Sequence, residues 1–195
     1  AIANYEAALA IKPDEHEALY NWGNALLAMA QRTDDAAERQ RLIGEAIAKY
    51  DAALAIKPDM LEALVNRGNA LAAMAERADD AAEQRRLFGE AIANYEAALA
   101  IKPDEHEALY HWSGTLLRLF RSSSTDPERA RLLDLAEEIS KRAYELNPKK
   151  PYNLACIAAL RGEPDRCHTL LLECHRHGTL PTRSHLETDL DLAAV

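Results

Sequence analysis

The residue types best suited to chemistry crowd one stretch of this chain, Cys167-His168 to Cys174-His175-Arg176-His177. Cysteine and histidine are the ligands of zinc, so their spacing decides what the stretch can do. Cys167 and Cys174 are seven residues apart. On a helix that is about 10 Å at 1.5 Å per residue, too far to share one tetrahedral ion with bonds of about 2.3 Å. Both fall where a small buried side chain is wanted, a role that free cysteine fills. The helix-end triplet Cys174, His175 and His177 is left as an adventitious site at most, and no metal or cofactor is expected. His16 and His106 occupy equivalent positions at two helix starts and read as a duplicated surface residue. Trp22 and Trp112 share a register and read as packing residues rather than ligand-stacking platforms. The sequence contains no phosphate loop, dinucleotide-binding glycine pattern, nucleophile elbow or HExxH string. A Ser/His/Asp set drawn from distant segments would leave no local trace, but the histidines give no sign of one. No catalytic residue is assigned, and the chain is not expected to be an enzyme.

The elements that carry these residues are copies of one unit. AIANYEAALAIKPDEHEALY at residues 1–20 recurs unchanged at 91–110, with a close copy, AIAKYDAALAIKPDMLEALV, at 46–65. The offset is 45 residues, from Ala1 to Ala46 to Ala91. A diverged copy starts at Ala136, where Ala143, Leu146 and Pro148 keep the register of Ala98, Ile101 and Pro103. Repeats of this length mean a solenoid, in which each unit buries its apolar stripe against its neighbours.

Within the first full unit, Asp14 to Glu17 follow Pro13 and open the series Leu19, Trp22, Gly23, Leu26, Leu27 and Met29, the spacing of a capped amphipathic helix. Thr33-Asp34-Asp35 then offers an N-cap for a second helix carrying Leu42, Ile43, Ala46, Ile47, Tyr50, Ala53, Leu54 and Ile56, stopped by Pro58. Unbroken periodicity predicts one continuous helix over 35–57 and another over 80–102. In the third unit Thr125 to Glu128 reads as a capping box, with Pro127 at the first helical position. Gly23, Gly68, Ala46, Ala53, Ala91 and Ala98 let backbones approach, while Tyr50 and Tyr95 fill space between units.

The order Leu19, Trp22, Gly23, Leu26, then Ala46, Tyr50, Ala53 and Pro58 resembles the tetratricopeptide repeat (TPR) over nearly the whole chain. The period exceeds the usual 34 residues by eleven, all between Leu26 and Ala46. The resemblance implies an all-α, right-handed superhelical α-solenoid of stacked antiparallel helix pairs. It divides the chain into the second helix of a truncated repeat (1–13), extended repeats at 14–58, 59–103 and 104–148, an ordinary-length repeat at 149–180 and a capping segment at 181–195. A short capping helix is expected to start at Ser184-His185-Leu186-Glu187. The closing segment is similar in wording to that of bacterial arrays.

By the same resemblance, peptides would bind the concave face. Its lining would be Glu17, Tyr20, Asn21, Asn24 and Leu27, then Glu62, Val65, Asn66 and Asn69, then Glu107, Tyr110, His111, Leu117 and Arg118. Asn21, Asn66 and His111 would form a ladder, and an amide offers an extended backbone both donor and acceptor. Glu107 and His111 stand where a carboxylate clamp would carry bases, so neutral or basic peptides are expected over acidic tails.

The net charge is −9, and no basic stripe exists to neutralise phosphates, so nucleic acid is not an expected partner. Three cysteines, an odd number, make no disulfide framework and suit a reducing compartment, so a cytoplasmic location is expected. No apolar run has the length of a membrane span, and no membrane association is expected. Ala1 begins in mid-pattern, as in a fragment of a larger protein. The expected function is a protein or peptide interaction scaffold without catalysis of its own. The alternative is a spacer or self-assembly element of a multidomain bacterial protein, with the uncapped stripe Ile2, Tyr5, Leu9 and Ile11 as a self-association surface. Near-identical copies fit natural duplication and consensus engineering equally.

Overall fold

The computed structural model describes residues 2–12 and 14–192. Among them regular structure is entirely helical, in two compact units, Ala1–Ala108 and Leu109–Val195. The first holds α1 (Ile2–Ile11), α2 (His16–Ala30), α3 (Ala36–Ile56), α4 (Leu61–Ala75), α5 (Ala81–Ile101) and the opening turn of α6 (His106–Ser122). The second holds the rest of α6, α7 (Asp126–Leu146), α8 (Tyr152–Leu160), α9 (Pro164–Arg176), α10 (Arg183–Thr188) and a 3-10 turn, Leu190–Leu192. Consecutive helices pack as pairs, and in the first unit α2 also lies against α4. This is the TPR-like α-solenoid that the repeat pattern implies.

The eleven added residues lengthen the second helices α3 and α5, as the periodicity predicts. α3 and α5 each run unbroken for 21 residues, about 32 Å at 1.5 Å per residue. Asp35 starts α3 by accepting from the amides of Ala37 (2.8 Å) and Glu38 (3.2 Å), and Asp80 starts α5 by accepting from Glu83 (2.9 Å). On the exposed side Arg41 pairs with Glu38 and Glu45, and Arg86 with Glu83 and Glu90, contacts of helical neighbours three and four apart. The added segment also turns inward. Arg39 Nε donates to the Ala30 carbonyl (3.2 Å), its Nη2 to that of Thr33, and Gln84 Nε2 to that of Ala75 (3.2 Å). The last carbonyls of α2 and α4, which no amide of their own helix can reach, thus find donors.

In the first unit two helix pairs close on a tyrosine. Tyr50 and Tyr95 are buried, and a Cβ at Gly23 or Gly68 would stand 2.6 Å from the Cε1 of Tyr50 or Tyr95 respectively. Only glycine lets α2 approach α3, and α4 approach α5, this closely.

Three local expectations need correction. α2 and α4 begin at His16 and Leu61, after Glu15 and Met60, and neither start has a side-chain cap. The aspartates expected to cap them sit in the preceding turn, which the backbone closes itself: Pro58 and Asp59 are its central residues, and the Met60 amide donates to the Lys57 carbonyl at 3.2 Å. Thr125 precedes α7 without a side-chain cap bond. The helix starts one residue earlier than expected, which puts Pro127 second and removes one of the two amides within reach of the threonine. The closing helix starts at Arg183 and ends at Thr188, and a separate 3-10 turn follows.

Candidate functional site

In the first unit, α2 and α4 place the expected lining residues on one face. Glu17, Asn21 and Glu62 are exposed; Tyr20, Asn24, Asn66 and Asn69 are half-buried. The half-buried group is knitted together. Tyr50 OH donates to Asn24 Oδ1 at 2.7 Å, Asn66 Nδ2 donates to the same oxygen at 2.9 Å and to Tyr20 OH at 3.2 Å, and Tyr95 OH donates to Asn69 Oδ1 at 2.9 Å. Burial, and then the neighbouring Tyr20, push the Tyr50 phenol above its ordinary pKa, so it remains a donor. Asn66 therefore bridges to Tyr20 and Asn24 across two neighbouring helices. Asn24 and Asn69 seat the tyrosines that fix each helix pair. Glu62 lies near enough to Lys102 to help raise its pKa, after the larger effect of Glu105.

The same face continues into a cleft of about 500 Å³ lined by Leu27, Asn69, Ala73, Arg77, Arg39 and Ile43 among others. Arg39 and Ile43 come from α3, so part of its wall is the added segment. Nothing in the sequence signals the cleft directly, since it needs α3 to overhang the ends of α2 and α4.

The second unit holds Tyr110, His111, Leu117 and Arg118. The Tyr110 and His111 rings meet edge to face, 5.6 Å between centroids. Asn153 Nδ2 donates to the Tyr110 carbonyl (2.9 Å) and to Ser113 Oγ (2.8 Å), tying α8 to α6. Val65 in the first unit and Leu117 in the second are buried. Glu107 belongs to the first unit and has His106 Nδ1 3.4 Å away.

The 45-residue register continues to α8, where Tyr152 stands in the place of Glu107, Cys156 in that of His111 and Ala159 in that of Gly114. The site residues expected from sequence do not include these. Tyr152 OH donates to Asp189 Oδ2 at 2.6 Å, and Cys156 Sγ lies 3.9 Å from the same oxygen. Arg121 of α6 grips Asp191 with Nε to Oδ1 at 2.7 Å and Nη2 to Oδ2 at 2.5 Å, and reaches Asp189 Oδ1 at 3.1 Å. The hydrogen bond to Asp191 is the main reason the guanidinium pKa is raised. Burial, then Asp189, raises the Cys156 thiol, which stays protonated. Cys156, Asp189 and Asp191 are the one group of metal-type donors among the described residues close enough to share an ion. The Arg121 cation already stands on their carboxylates. Cys167 and Cys174 are buried, while His168, His175 and His177 are exposed.

The fold and these faces define a TPR array. The family model of the plant-specific mitochondrial import receptor subunit TOM20 matches residues 1–107, and the chain belongs to that family. Among solved structures, the thermophilic TPR protein TTC0263 of Thermus thermophilus is 19% identical over 96% of this chain and 82% of its own, with a TM-score of 0.69. A crystal structure of MamA is 15% identical over 89% of this chain and 84% of its own, with a TM-score of 0.63. These likenesses concern the fold. No curated protein matches the chain. The family overturns the cytoplasmic location expected from the cysteines, because it is a mitochondrial receptor family; nor does it support a bacterial origin. No helix among the described residues is long and apolar enough to cross a membrane. Fold and family together support a protein-interaction scaffold in general terms.

Proposed function

We propose that the α2–α4 face of the first unit binds a neutral or basic peptide segment of a protein partner and performs no chemistry on it. The observation that carries this reading is the pair of exposed carboxylates, Glu17 and Glu62, in one register beside a cleft of about 500 Å³. Asn21 faces solvent with them, and the knitted Tyr20, Asn24, Asn66 and Asn69 supply a stiff polar floor rather than free hands. Glu107 would repeat the carboxylate register in this unit, and Tyr110 and His111 would offer the second unit a lining of its own. The repeat boundaries expected from sequence, 14–58, 59–103, 104–148 and 149–180, belong to this proposal as its structural frame.

The test is fluorescence anisotropy with two labelled ten-residue peptides, one lysine-bearing and one ending in an acidic tail. Glu62→Lys should weaken the lysine peptide about five-fold, since a rim charge tunes recognition by roughly 1 kcal/mol. Tighter binding of the acidic tail than of its amidated, neutralised form would end the reading.

A second reading, self-association, is favoured by Ile11, Ile56 and Ile101, which recur at the 45-residue offset and are each exposed by 41% or more. On α1, Tyr5 stacks on Trp22 at 6.5 Å and Leu9 is half-buried, while the side chain of Ile2 lies outside the described residues. Light scattering across a concentration series separates the two readings: a monomer at millimolar concentration removes the second.

A further inference from the structure

We propose that α6 and α8 of the second unit form a recognition site for a short acidic–apolar segment, Asp-x-Asp-Leu, and that the chain's own residues 189–192 are its displaceable occupant. Arg121 presents a planar fork to Asp191, the geometry in which guanidinium and carboxylate bond twice. Asp189 is held at one oxygen by Tyr152 and at the other by Arg121 and by the Asp191 amide (2.9 Å). Leu192 packs on the small-residue surface of Ala155, Ala158, Ala159 and Cys167. Leu190, between the two acids, points outward and is 72% exposed. Alternate residues are thus read and the one between is ignored, as in recognition of a peptide ligand.

These contacts anchor the occupant. Before it, the chain leaves α9 through Gly178 in the left-handed region (φ 66°), and α10 has only six residues, with Arg183 and Glu187 exposed and Leu186 half-buried. A segment with so few buried apolar contacts opens locally, well below the free energy of unfolding the unit. Asp191 alone is fully buried, 1% exposed, and a buried carboxylate keeps its place only while its counter-charge stays. When the segment leaves, Arg121, Tyr152, Cys156 and the alanine surface are uncovered together. A partner with the same two acids and leucine would then take them by competition. Electrostatically this is the opposite preference from the Glu17–Glu62 face, and it stands whether or not that face binds peptide.

The probe is a labelled, acetylated and amidated peptide of residues 187–192, ETDLDL, with ETNLNL as control, titrated into the full chain. Asp189→Asn with Asp191→Asn should loosen the resident segment and raise ETDLDL affinity at least about ten-fold over wild type. ETNLNL should bind neither form, and adding Arg121→Gln should abolish the gain. Equal ETDLDL affinity for the wild type and a folded double variant overturns the proposal. Should the double variant lose its helical circular dichroism, wild type decides by hydrogen exchange. Saturating ETDLDL should speed exchange of the Leu192 amide, which donates to the Asp189 carbonyl at 3.1 Å, at least about ten-fold. No acceleration, or protection of that amide equal to that of the α8 amides, overturns it.

Discussion

The two units treat one register of the repeat in opposite ways. In the first, Glu17, Asn21 and Asn24, and then Glu62, Asn66 and Asn69, put carboxylates in water above a knitted amide layer. In the second, the register arrives at Tyr152, Cys156 and Ala159, and the chain lays its own acidic turn across α8. Their helix pairs also differ inside: the glycine and tyrosine that close each pair in the first unit are replaced by Ser113 and Ser140 in the second. A repeat can therefore keep its helical frame and change both its core and what its face attracts, because core and face alternate along the same helix.

The largest blow to one side of this comparison is Tyr50→Ala. It empties a fully buried ring site and removes the donor to Asn24, at a cost of about 3–5 kcal/mol. Urea unfolding should show that loss in the first unit, with hydrogen-exchange protection of α8 and α9 retained. Gly68→Ala should cost about 1–3 kcal/mol, since its Cβ meets the Tyr95 ring at 2.6 Å. Gly89→Ala, where nothing lies within 4 Å, should stabilise by about 0.5–1 kcal/mol in the same assay. Equal effects at the two glycines would mean the close approach is not what fixes the pair.

On the other side, Arg121→Gln leaves Asp191 without its counter-charge. A rigidly buried carboxylate would lose about 3–5 kcal/mol. The closing segment can swing into water instead, so the loss should stop at about 1–2 kcal/mol, the scale of charged hydrogen bonds. Exchange should accelerate over 183–192 and leave α9 unchanged. The smallest effect is a pH dependence of the second unit. Burial raises the Glu137 pKa, but Lys141, Arg166 and Arg161 outweigh it and hold the carboxyl below the ordinary 4.5. A depressed pKa in the folded state gives stability that is complete above the unfolded value and lost as pH falls through the folded one. Urea midpoints for the second unit should thus drop below pH 4.5, and Glu137→Gln should flatten that dependence.

Much of the fold was legible because it is written locally. Asp35 and Asp80 announce α3 and α5, and Leu42, Ile43, Ala46, Tyr50 and Ala53 carry the period through the added segment. The knitting of Asn24 and Asn66 was not legible, since an amide on a helix face reads the same whether it meets solvent or a phenol from the next helix. The acidic turn was missed for a related reason. Arg121 and Asp191 are 70 residues apart, and nothing in either neighbourhood names the other. Extending the 45-residue register to Tyr152 and Cys156 would have marked that surface as a departure from the repeat. The cysteines misled about location because a buried thiol reports its packing and says little of a protein's address.

The inward bonds of the added segment carry one more implication. Arg39 and Gln84 each donate to the last carbonyl of the helix immediately before their own, so these two helix pairs close that end without help from the next. A whole copy can then be gained or lost without leaving a frayed end in its neighbour. The interval that recombination would duplicate coincides with the interval that physics completes, and the array can change length in steps of one finished part.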